Sequence, residues 1–172
     1  MSTLHAVLEQ VSGASTKAEK IEILKRYNCM GLRDVLKGGF DDTIEFDLPK
    51  GVPPFTTNTS NEGHTPTSLE HNSVKLAYCV KGHPKSAPLK AIVRERMFLE
   101  ILEGIPKDEA ELVIAMKEKK LGKRYKGLTK DVVMAAFPNL MDAKLQKSST
   151  EKKEAEAPKK DASTPAPENV TA

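Results

Sequence analysis

The chain has 172 residues, 38% of them hydrophobic, and a formal charge of +3 at pH 7, which suits one ordinary core rather than several domains. It has no apolar run near the roughly 18 to 20 residues that cross a bilayer, and its first thirty residues lack the basic-then-apolar order of an export signal. A soluble intracellular protein with no membrane partner is expected, its core aliphatic because tryptophan is absent and aromatics make up 5% of the chain.

Leu4, Val7, Leu8 and Val11 recur at helical spacing and Gly13 supplies a stop, which predicts a first short helix. Thr16 and Glu19 form a capping box, with Ile21, Leu24 and Tyr27 on one face of the helix that follows. A third helix is expected from about Met30 through Val35 and Leu36, ended by Gly38 and Gly39. Thr43 to Leu48 alternates strictly, with Ile44, Phe46 and Leu48 on one side, and reads as the one convincing strand. It is expected to pair weakly with the returning segment or to lie extended across the helices. Pro49, Pro53 and Pro54 then favour an extended path, and a polar loop follows to Pro66.

Helical patterning resumes near Thr67, carries Leu69, Leu76, Tyr78 and Val80, and stops at Gly82-His83-Pro84. Ser86 is the expected cap of the next helix, whose Leu89, Ile92, Val93, Met97, Leu99, Ile101 and Leu102 make it the expected central, most buried element. Asp108 and Glu109 suit the positive start of a helix running through Leu112, Val113, Met116 and Leu121. Thr129 caps a last helix through Val132, Val133 and Phe137, which Pro138 ends. Lys25-Arg26-Tyr27 with Gly31-Leu32 is echoed by Lys123-Arg124-Tyr125 with Gly127-Leu128, a weak sign of duplication that needs gaps.

From 147 to 172 five lysines face five acids, and Val170 is the one aliphatic residue larger than alanine. Such a segment buries too little to offset its ordering entropy. The fold class is therefore mainly α: a small multi-helix domain with one short strand or extended proline-rich segment and a disordered C-terminal tail. Residues 1–55 hold the N-terminal helices, strand and proline segment, 56–66 the polar loop, 67–146 a helical core part forming one domain with 1–55, and 147–172 the tail. Because the tail cancels its own charge, the net positive charge belongs to the body.

Residues 116 to 130 pack seven cations and one acid around a tyrosine. Lys117, Lys119, Lys120, Lys123, Arg124, Lys126 and Lys130 suit phosphate neutralisation, with Tyr125 available to stack on a base. Lysines at a helix end also complement its dipole, so a solvated basic turn is the commoner outcome. His64, His71, Cys79 and His83 fall within twenty residues, yet no Cys-x-x-Cys supports zinc, and no metal or cofactor is expected. Cys29 and Cys79 are expected as free thiols, and Asn58 and Asn169, which match glycosylation sites, carry no weight inside a cell. Asp41, Asp42, Glu45 and Asp47 form an acidic patch, and Gly51 to Phe55 a candidate proline ligand or rigid linker. No phosphate-binding glycine loop, HExxH or GxSxG occurs, so no catalytic residues are expected and the protein is read as no enzyme.

Residues 31–41 (GLRDVLKGGFD), 44–55 (IEFDLPKGVPPF), 94–104 (RERMFLEILEG) and 108–116 (DEAELVIAM), with GLT at 127–129 and AAFP at 135–138, carry a resemblance to an uncharacterised family of small proteins of T-even-like tailed bacteriophages, notably cyanobacterial phages. It implies a viral protein made in the host bacterial cytoplasm, with packaging in the virion as the alternative, and transfers no site residues. The leading expectation is a non-enzymatic accessory protein that binds a phage or host protein, or DNA or RNA through 117–130. A virion-associated structural or assembly protein is the runner-up.

Overall fold

The computed structural model describes residues 3–58 and 67–141. Most of the polar loop, with His64, lies outside them, as does the tail expected to be disordered. The described residues are mainly helical. α1 spans Leu4–Gly13 behind Thr3, whose hydroxyl accepts from the Ala6 N–H. α2, Lys17–Arg26, carries the capping box in full: Glu19 N–H donates to Thr16 Oγ1 and Thr16 N–H to Glu19 Oε2.

α3, Met30–Phe40, opens on Cys29, whose sulfur accepts from the Leu32 N–H. It does not stop at Gly38-Gly39. Both glycines are helical and buried where α3 meets the chain at 116–121: a Cβ on Gly38 would lie 2.8 Å from Met116 Sδ, and one on Gly39 would overlap Leu121 Cδ1. Their role is close approach, which outweighs the helix propensity they forgo.

The alternating segment forms no strand among the described residues. It stays extended and makes one antiparallel bridge, Phe46 with Val80, through Asp47 N–H to Cys79 O and Lys81 N–H to Glu45 O, both 2.8 Å. Its partner is thus the chain after Cys79 rather than the proline segment. That segment is pinned instead to neighbouring helices. Lys117 Nζ donates to Pro49 O at 2.7 Å, Gly51 N–H to Glu118 at 2.9 Å and Thr56 N–H to Glu103 at 3.2 Å.

The helix expected from Thr67 is a single α-turn, α4 (Leu69–Asn72), continued by a 3₁₀ helix, Ser73–Cys79. Gly82, at φ +74°, turns the chain away. Ser86 caps nothing: its hydroxyl donates to Val80 O inside that turn, and α5 (Ala91–Gly104) begins after Lys90. α5 is not the most buried helix either. It buries Phe98, Ile101 and Leu102 but leaves Ile92 72% exposed.

The centre is α6, Lys107–Lys117, which packs on α1, α3, α5 and α7 and buries Ala110, Leu112, Val113, Ile114 and Met116. α7 (Leu121–Arg124) and α8 (Lys130–Ala136) complete the chain, α8 lying against α2 behind its Thr129 cap. One continuous core links residues from Leu4 to Met141. The echo between the two Lys-Arg-Tyr segments does not extend to backbone, because Gly31 is helical whereas Gly127 is left-handed at φ +77°.

Glu109 holds the arrangement together. It is 2% exposed on α6, and its two oxygens accept from the Leu4 N–H at 3.1 Å and the Leu69 N–H at 2.9 Å. Those amides open α1 and α4. The caps Thr3 and Ser68 serve the third residue of each helix, Ala6 and His71, and leave the first N–H for another acceptor.

Candidate functional site

The basic turn is built largely inward. α6 ends in a Schellman arrangement, with Lys119 N–H bonded to Met116 O at 3.1 Å and Lys120 N–H to Ala115 O at 2.8 Å. The position that usually takes glycine is Lys119, at φ +57°. Its ammonium reaches Gly38 O in the last turn of α3 at 2.6 Å and Asp41 O just after it at 2.7 Å, and burial lowers its pKa. Lys117 is half-buried, with its side chain 4% exposed, paired with Glu118 and bonded to Pro49 O.

Arg124 pairs with Glu111 at 2.8 Å and Lys130 with Asp42 at 2.9 Å. Lys120 stands 3.9 Å from Glu118, while Lys123 and Lys126 are exposed and make no ion pair among the described residues. Of the seven cations expected to meet phosphate, five are thus engaged within the chain, Lys120 at the longest distance. Tyr125 offers no stacking face: it is 2% exposed, its hydroxyl lies 2.8 Å from His5 Nδ1, and burial raises its pKa.

The acidic patch is likewise divided among separate partners. Asp41 accepts from the Thr43 N–H and hydroxyl, Glu45 pairs with Lys81, and Asp47 with Arg94. No group of three or more His, Cys, Asp or Glu able to hold a metal occurs among the described residues. Cys79 is a buried thiol whose pKa burial pushes up to about 11, and Cys29 is raised by burial as well. No described helix is long and apolar enough to cross a membrane.

What the sequence reading missed is a groove of about 300 Å³ between α3 and the 3₁₀ helix. Ile44, Phe46, Val80 and Met116 contribute its apolar lining, and Met30 and Val74 stand at it 72% and 49% exposed. Ser73 and His83 also line it, and both are engaged with backbone: the Ser73 hydroxyl donates to Glu70 O and His83 Nδ1 accepts from the Lys85 N–H. The available signal was Met30 itself, a large apolar side chain at the first position of α3 and off its buried face.

The chain belongs to a family of unknown function (DUF6433), whose pattern it matches over residues 7–123. No curated protein and no solved structure matches it.

Proposed function

We propose that this chain is a non-enzymatic accessory protein of tailed phages, acting in the host cytoplasm by binding another protein through the groove beside α3. The observation that carries this is the contrast between two surfaces. The basic turn uses Lys117, Lys119, Arg124 and Lys130 on the chain's own carbonyls and carboxylates. The groove leaves Met30 and Val74 in water beside an apolar floor. Isolated exposed apolar side chains are ordinary, whereas a cluster at a concave site marks interaction. Every lining residue falls inside the stretch shared with the family, 7–123. The phage assignment rests on the sequence resemblance.

Affinity capture from infected cells tests it, with the wild-type chain and Val74→Asp as baits. Val74 is half exposed, so the substitution leaves the core intact, which a melting curve checks. The expected result is a protein recovered by the wild type and lost with Val74→Asp. Recovery of nothing above background, or equal recovery by both baits, overturns the reading. Retention on DNA or RNA that falls on replacing Lys120, Lys123 and Lys126 would assign the function to nucleic acid instead. Mass spectrometry of purified particles separates a cytoplasmic role from a virion component.

A further inference from the structure

The groove also carries information about what fills it, and on the reading that it binds protein, we infer that its occupant is an amphipathic segment presenting two aliphatic side chains flanked by carboxylates. Size comes first. An apolar cavity of ~150 Å³ holds a benzene ring, so a groove of about 300 Å³ takes two aliphatic anchors, as a helix offers at i and i+3 or i+4. The lining suits such anchors, because Met30 and Met116 are unbranched thioethers that adapt to irregular side chains.

Charge supplies the second half. Lys37 on α3 and Lys85 beyond the 3₁₀ helix come to the groove from different walls, and neither makes an ion pair among the described residues. Lys85 lies 5.6 Å from the Tyr78 ring centroid, which orients its ammonium without neutralising it. Asp34, one turn from Lys37, is the single lining acid. Nearby acids are committed elsewhere: Glu45 to Lys81 and Asp47 to Arg94. Two free cations against one acid, on a body that holds all of the chain's +3, favour a partner with negative flanks and disfavour a basic one.

A displayed library of random twelve-residue peptides, panned on the full chain, reads out both features at once. Enriched sequences are expected to carry two aliphatic residues three or four apart with Asp or Glu beside them. The synthetic consensus peptide should bind about tenfold more weakly to Val74→Asp, and likewise to Lys37→Glu with Lys85→Glu. Its affinity should also fall with added salt. A neutral or basic consensus, or affinity unchanged by the charge reversal, overturns the acidic partner while leaving capture from infected cells free to succeed. A consensus indifferent to Val74→Asp, or no enrichment at all, overturns the groove as a site for such segments. Met30→Asp repeats the test should Val74→Asp fail to fold.

Discussion

Replacing Glu109 is expected to weaken the fold in two graded steps. Its oxygens accept at 3.1 and 2.9 Å from the first amides of α1 and α4. A hydrogen bond to a charged group contributes about 1.5–3 kcal/mol, and a buried donor left alone costs about 1–3 kcal/mol. Glu109→Gln keeps one acceptor but turns an NH₂ toward the other amide, so a loss of about 1.5–3 kcal/mol is expected. Glu109→Ala removes both acceptors and should cost about 3–6 kcal/mol, a large part of the roughly 5–15 kcal/mol by which a domain is stable. Urea unfolding followed by far-UV circular dichroism measures this, with an unchanged m-value as the sign that the states compared are the same. Amide exchange at Leu4 and Leu69 should quicken in the alanine variant beyond its global loss. Equal stability of wild type and Glu109→Gln would refute the claim that each oxygen caps its own helix.

Four further outcomes follow from the same packing. Lys119→Gly relieves a left-handed lysine, a gain of about 1 kcal/mol, but strips the cover from Gly38 O and Asp41 O. Its net effect should be destabilising by about 1–3 kcal/mol in urea unfolding. Gly39→Ala should lower the melting temperature, because its Cβ meets fully buried Leu121 and overpacking costs about 1–3 kcal/mol. Gly13→Ala, with open space around it, should be neutral or stabilising. The Glu118 pKa lies below the usual carboxylate range because Lys117, and then the Gly51 N–H, bond its ionised form. A depressed folded pKa means stability fully present above the unfolded value of about 4.3 and lost as pH falls through the folded one. Glu118→Gln should therefore flatten the acid limb of a stability profile, read as urea midpoints between neutral pH and pH 3.

What the sequence made legible was local. The capping box at Thr16, the cap at Thr129 and the stop at Gly13 need only neighbouring residues, and all three are present. Features that depend on distant chain were misread. Glu109 looks like any acid at a positive helix start, and nothing near it announces that the amides of Leu4 and Leu69 arrive from elsewhere. Gly38-Gly39 looks like a terminator because the chain that crowds it lies some eighty residues on. The apolar circumference of α5 implied a central helix, yet composition does not say which helix the others surround; α6, with charged ends and a lower apolar count, took that place.

The basic turn shows the same limit where it matters most for function. A run of lysines is read as a surface because ammonium groups are costly to bury, but that cost concerns the charge and not the stem. Lys117 and Lys119 lay their methylenes against the body and end on backbone carbonyls, Lys117 on Pro49 O in the proline segment and Lys119 on Gly38 O in the last turn of α3 and Asp41 O just after it. Each lysine thereby satisfies acceptors that the chain would otherwise have to expose, and the cluster becomes part of how α3, α6 and the proline segment are joined. Counting cations in a sequence therefore overstates the charge that a partner meets. Among the described residues the count of cations in this turn without an internal partner falls to Lys123 and Lys126, while the groove beside α3 keeps its apolar rim and two lysines, Lys37 and Lys85, that make no ion pair among those residues.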